Sequence, residues 1–250
     1  MSGAYYNEID PYAAQWLRNL ISAGHIAPGD VDERSIVDVR PDDLAGYTQC
    51  HFFAGIGGWP LAFRLAGWPD DEAAWSGSCP CQPLSSTGLR RGHADQRHLW
   101  PAFHGLIAQR KPPMVAGEQV ANKDGREWLA AVRADLEAMG YAVGAADLCA
   151  ASVGAPHIRQ RLFWLADAKR RRLQGRNIGR ARTITSQFAA RSRQTTWARW
   201  WGPKSGEPKL AFMAHGIPAG VAQVRAYGNA IVPQVAAEVI GAYLDISEAA

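Results

Sequence analysis

Four groups of side chains in this sequence have the types and spacing to do chemistry. Two thiols, Cys79 and Cys81, stand one residue apart in "SGSCPCQPLSSTG". A carboxylate, Glu118, ends the apolar run of "MVAGEQVAN", and two arginines, Arg159 and Arg161, lie at the head of "RLFWLADA". The fourth group is a glycine turn, Phe53-Ala54-Gly55-Ile56-Gly57-Gly58, together with Glu8 at the end of a short strand near the N-terminus. A thiol with a pKa near 8.5 is only partly ionised at neutral pH, so either cysteine needs positive charge or backbone N–H groups beside it to act as a nucleophile. Arg159, Arg161 and the polar Ser85-Ser86-Thr87-Gly88 loop are the candidates to supply them. A strand-end carboxyl whose pKa is raised by burial serves as a general acid. Glycines after a strand permit a tight turn and close backbone approach to a ligand. An acid at a neighbouring strand end grips ribose hydroxyls in nucleotide-binding sheets. The Cys-x-Cys spacing lacks the two-residue gap of zinc knuckles, and no metal site is expected.

These groups need a scaffold, and the periodicity of the chain provides one. A strand over Tyr5–Ile9 is followed by a helix from Pro11, with Asp10 as its N-cap. "YTQCHFFAGIGGWPLAFRLAGW" reads as strand, glycine turn and helix, stopped by Gly67. "EAAWSGSCPCQPLSSTG" reads as a short strand running into the cysteine loop, "HLWPAFHGLIAQRKPP" as a helix, and "MVAGEQVAN" as a strand ending in an acid. Trp128, Leu129, Val132, Leu136 and Met139 recur at helical spacing. "AVGAADLCAASVGAP" and "RLFWLADA" are two further strands. Alternating strands and helices predict an α/β fold, a doubly wound and mainly parallel sheet. Cys50 and Cys149, in apolar strands, read as core, and Asp70 and Asp71 as turn caps.

The order of the parts is unusual. The ribose acid belongs about twenty residues after the glycine turn, yet the cysteine loop follows too closely to leave room for another strand and helix. The missing pieces stand in front instead: Glu8 with its helix, then Asp30 after a Pro-Gly turn. The second and third strands of a cofactor sheet therefore precede the first, a permutation that docking of strand–helix units allows.

Taken together, these motifs resemble those of the cytosine-C5 DNA methyltransferases over nearly the whole chain apart from a basic insert. "FFAGIGGW", with Phe53, Gly55, Gly57 and Gly58, is similar to the family's first motif, which lies under the methionine part of S-adenosylmethionine. "NEIDPYA" resembles the second, implying Glu8 on the ribose and Ile9 against the adenine, and "GDV" the third, implying Asp30 at the adenine amino group. "PCQPLSSTG" resembles the fourth, which makes Cys81 rather than Cys79 the nucleophile, with Pro80 beside the cofactor and Gln82 and Ser85 toward DNA. "DQRHLW", with Arg97, is similar to the fifth, "GEQVAN" to the sixth, "RQR" to part of the eighth, and "GNAIVP", with Asn229, to the tenth. The chain departs from the family pattern at three positions: His51 stands in place of an acid, His157 in place of a glutamine, and Gln119 in place of an asparagine.

The resemblance implies a Rossmann-like methyltransferase. The Cys81 thiolate adds to C6 of a flipped-out cytosine, and C5 then attacks the methyl of S-adenosylmethionine. Glu118 serves N3 and the amino group, Arg161 holds O2, and Arg159 orients the loop or a phosphate. The catalytic and cofactor-binding domain is expected over 1–167, a basic target-recognition region over 168–213, and a segment returning to the catalytic domain over 214–250. The basic region offers Arg170, Arg171, Arg172 and Arg182 for phosphates or guanine edges, and Trp197 and Trp200 for stacking on double-stranded DNA. Its shortness points to a recognition sequence of about two to four base pairs. Two other classes are compatible with the motifs: a relative acting on RNA or using an altered cofactor, and a catalytically silent DNA binder. The net charge of +4 is mild, and no apolar run is long enough for a membrane span. A cytoplasmic monomer, free-standing or phage-encoded, is the expectation.

Overall fold

The computed structural model describes residues 3–80, 99–155, 157–168 and 230–248. Its strands are β1 (Gly3–Asn7), β2 (Gly29–Asp32), β3 (Tyr47–Phe52), β4 (Ala74–Gly77), β5 (Met114–Val120), β6 (Ala142–Cys149) and β7 (Gln160–Asp167). Its helices are α1 (Pro11–Ser22), α2 (Gly58–Leu65), α3 (Leu99–Arg110), α4 (Lys123–Ala138) and α5 (Pro233–Glu248). The strands form one sheet in the order β2-β1-β3-β4-β5-β7-β6. The five from β2 to β5 are parallel, and β7 runs antiparallel to both of its neighbours. The sheet is mainly parallel, as the alternating pattern predicts.

The permuted order has a direct structural counterpart. β1 lies between β2 and β3 and is parallel to both. The strand that leads to Glu8 is thus the immediate neighbour of the strand that leads to the glycine turn. β1 ends two residues before the predicted Ile9, because Glu8 turns its carboxylate back to accept the Asp10 N–H at 2.9 Å. Asp10 then caps α1, accepting from Tyr12 and Ala13.

Period-two alternation sorts each strand between two layers. Cys50, Phe52, Trp75 and Val115 pack with Phe103 and Ile107 of α3 and with Val132 and Leu136 of α4. The opposite layer joins Ala74, Ala116 and Phe163 to Trp59 and Phe63 of α2 and to Val235, Ala236 and Ile240 of α5. Cys50 is buried as expected, whereas Cys149 at the outer strand is only half-buried. Asp70 binds Arg64 at 2.5 Å rather than simply capping its turn.

His51 belongs to the α2 layer and is fully buried. Gln49 Oε1 lies 3.2 Å from its Nε2 and can only accept, so Nε2 carries the proton. Nδ1, 2.8 Å from Ser76 Oγ, then accepts from the serine hydroxyl. Burial drives the imidazole pKa down to about 3. This value lies below that of the unfolded chain, so acid favours the unfolded state. The contribution is complete above about pH 6.5 and is lost as the pH falls toward about 3. Urea unfolding across that window is expected to show His51→Gln with a shallower loss on acidification, by about 1.4 kcal/mol per pH unit. Equal slopes for the two proteins would contradict a neutral His51.

Candidate active site

At the carboxyl edge of the parallel strands two chemical centres lie side by side. The first is the glycine turn. Phe53 (φ 51°), Gly55 (φ 55°) and Gly57 (φ 84°) all adopt left-handed backbone, which reverses the chain sharply into α2. The Gly55 N–H donates to Glu8 Oε2 at 2.7 Å, and the Ala54 N–H donates to the Asn7 carbonyl at 3.0 Å. The two edges that the sequence separates by more than forty residues are thus joined. A carboxylate offers about four lone-pair directions, and the Asp10 and Gly55 amides occupy one on each oxygen of Glu8. Ile9, next along the chain, is 64% exposed. Among the described residues, a Cβ placed on Gly55 would meet only the Phe53 carbonyl, at 4.0 Å, and they leave the space above the turn open. On the far side, Ile231 packs against Gly58 so closely that a Cβ there would lie 2.6 Å from it. The glycine turn, the Glu8 carboxylate and the exposed Ile9 beside them could hold a cofactor.

The second centre is built from β5 and β7. Glu118 lies opposite Phe163, and Val120 opposite Arg161. Alternation therefore puts Glu118, Arg159, Arg161 and Phe163 on one face of the sheet. The Arg161 Nε donates to Glu118 Oε1 at 2.7 Å, with little of either side chain exposed. Burial raises the Glu118 pKa, and the charges of Arg161 and Arg159 oppose that rise without cancelling it. Arg159 itself is held down, first by burial and then by the charge of Arg161. Its Nη2 donates to the Ala230 carbonyl at 2.8 Å, which ties the arginine pair to the segment entering α5.

The root of the cysteine loop is fastened to the same strand. Gln119 is buried on the opposite face of β5. Its Nε2 donates to the Cys79 carbonyl at 3.3 Å, and its Oε1 accepts the Val120 N–H. The Glu118 N–H donates to Ser78 Oγ at 3.1 Å. Cys79 is buried, and burial pushes its thiol far above the ordinary range. Pro80 is exposed where the described loop ends.

The structure therefore brings Glu118, Arg159 and Arg161 together, and Glu8 together with Phe53, Gly55, Gly57 and Gly58. Asp30 stands apart. It pairs with Tyr5, about three residue steps short of Glu8, and its carboxylate accepts the Tyr47 hydroxyl at 2.7 Å. His157 is exposed. Cys81, Gln82, Ser85, Arg97, Arg170, Arg171, Arg172, Arg182, Trp197, Trp200 and Asn229 lie outside the described residues. Sequence reasoning missed Ser78, Trp59 and the bond made by Gln119. The available signal was a polar residue directly before the first cysteine.

The chain is similar to several known proteins. The family model for C-5 cytosine-specific DNA methylase matches residues 69–199, just over half of the 250-residue chain. The Type II methyltransferase M.AplI of Arthrospira platensis is 29% identical over 150 residues, covering 46% of this chain and 44% of its own. M.AluI of Cellulosimicrobium cellulans is 30% identical over 131 residues, covering 48% and 25%. M.NlaX of Neisseria lactamica is 25% identical over 163 residues, covering 64% and 42%. A solved structure of a DNMT2 mutant from Spodoptera frugiperda is 15% identical with a TM-score of 0.47, covering 71% of this chain and 45% of that one. The chain spans less than half the length of each of these relatives.

Proposed function

Because the chain belongs to the C-5 cytosine-specific DNA methylases, we propose that it methylates C5 of cytosine in duplex DNA through a transient bond to Cys81. The observation that carries this reading is the buried Glu118 carboxyl, held against Arg161 beside the open glycine turn. Cytosine C5 is a poor nucleophile until a thiolate adds at C6, and that addition pushes negative charge onto N3 and O2 of the ring. Burial raises the Glu118 pKa, which favours the protonated carboxyl that donates to N3. Arg161 supplies a guanidinium for O2. Arg159 holds the C-terminal segment by the Ala230 carbonyl, and the charge of the pair favours ionisation of a thiol nearby.

S-adenosylmethionine, when bound, supplies an electrophilic methyl group. Glu8 would receive the ribose hydroxyls, Ile9 the adenine face, and the backbone from Phe53 to Gly58 the remainder. The segment 168–213 serves as the DNA-reading region, and its arginines and tryptophans grip the duplex while the base is flipped out.

The test is nucleoside mass spectrometry of digested duplex DNA after incubation with the protein and S-adenosylmethionine. Appearance of 5-methylcytosine is the expected result, and sequencing the modified sites then gives the target. Duplex that is bound but left unmodified would overturn the reading.

A further inference from the structure

Ser78 is the first residue after β4 and lies three positions before Cys81. Its hydroxyl oxygen accepts two hydrogen bonds. The indole N–H of Trp59 donates at 2.9 Å, and the backbone N–H of Glu118 donates at 3.1 Å. A hydroxyl oxygen has two acceptor lone pairs, so both are in use. Trp59 directly follows the glycine turn in the first turn of α2 and is buried. Its ring also meets Phe163 edge-on, with centroids 6.2 Å apart, and Phe163 is the cross-strand partner of Glu118. One indole is therefore linked to Glu118 by two routes: through the serine that holds its amide, and through the side chain opposite it.

We propose that the Ser78 hydroxyl is a positioning group that couples occupancy of the glycine turn to the placement of Glu118 and the root of the cysteine loop. Among the described contacts, Ser78 joins the helix that opens on the turn to the strand that carries the acid. An alanine would fill the same space but would leave two donors without their acceptor, and packing alone does not require the oxygen. A ligand that settles the turn fixes the start of α2. The indole passes that restraint to Ser78, and Ser78 passes it to Glu118 and to the root of the loop. The inference rests on the methyltransferase reading above.

The test is a thermodynamic cycle with S-adenosylhomocysteine, the methyl-free product, so that no chemistry intervenes. Affinity for a duplex carrying the methylated site, identified by sequencing, is measured with and without this probe. The proteins compared are wild type, Ser78→Ala, Trp59→Phe and the double variant, with Ser78→Thr as the hydroxyl-retaining control. The wild type is expected to show coupling of about 5- to 150-fold. Each single variant should bring the coupling near unity, the double should do no worse than either, and Ser78→Thr should keep most of it. A merely structural serine would lower the melting temperature and leave the coupling factor intact, which would overturn the proposal. Losses that multiply in the double variant would overturn it too, as would a wild type whose DNA affinity ignores the probe. Trp59→Phe retains a ring in the core and keeps the test decisive if Ser78→Ala fails to fold. Should S-adenosylhomocysteine fail to bind the wild type at all, the methyltransferase reading falls and this inference with it. Binding without coupling removes this inference alone.

Discussion

Cys81→Ala is expected to abolish formation of 5-methylcytosine, lowering the rate by roughly 10⁴-fold or more, the scale seen when a covalent nucleophile is deleted. Cys79→Ala is expected to retain activity. The two thiols differ by one residue in sequence and by far more in environment. Cys79 packs in the α3/α4 layer with Phe103 and Trp164, and burial holds its thiol protonated well above neutral pH. A thiol that cannot ionise cannot add to C6. Cys50 is excluded on the same ground, its pKa pushed up to about 12. Cys149 ends the outermost strand, opposite Gln160, with β4, β5 and β7 between it and the strands that lead to Glu8 and Gly55. Cys81 follows an exposed proline whose predecessor is anchored by Gln119. Mass spectrometry of DNA treated with each variant decides the matter. Activity that survives Cys81→Ala, or that is lost in Cys79→Ala with the melting temperature unchanged, would sink the assignment.

The sheet and most of the candidate site were legible because they depend on local pattern. Period-two alternation placed Glu118 and Arg161 on strands, with Arg159 just ahead of the second, and glycines marked the turn. The out-of-order acid was readable because one ribose carboxylate was missing downstream and one stood unexplained upstream; the parallel pairing of β1 with β3 explains both. Pairing order beyond that was not legible. Nothing local shows that β7 inserts antiparallel between β5 and β6, yet that insertion puts Arg161 within reach of Glu118. Polar contacts far apart in sequence were equally hidden. Ser78 meets Trp59 across 19 residues and Glu118 across 40, and a serine in a loop signals neither. The departures from the family pattern become intelligible in three dimensions. His51 is a neutral, fully bonded core residue in the α2 layer, and Gln119 uses both ends of its amide to hold the loop.

Glu118→Gln is expected to lower the methylation rate by about 10²- to 10⁴-fold, the usual worth of a general acid, while duplex affinity changes far less. Glutamine keeps the shape and can still accept from the Arg161 Nε, but it has no acidic proton for N3. The pH profile separates this role from a structural one. In the wild type the thiol must be ionised and Glu118 protonated, so the rate falls on both the acid and the alkaline side. The alkaline limb arises because Glu118 sheds its proton as the pH climbs, burial having raised the value at which it does so. In the variant only the thiol titrates, so the residual rate should rise with pH and level off without an alkaline decline. Stability carries its own sign. A carboxyl whose folded pKa is raised contributes most below its unfolded value, and that contribution is lost as the pH rises through the folded one. Glu118→Gln should therefore gain on the wild type in thermal melts as the buffer becomes more alkaline. A variant that keeps the alkaline limb would move the acid role to another group. A variant that loses duplex affinity as steeply as rate would reduce Glu118 to a partner of Arg161.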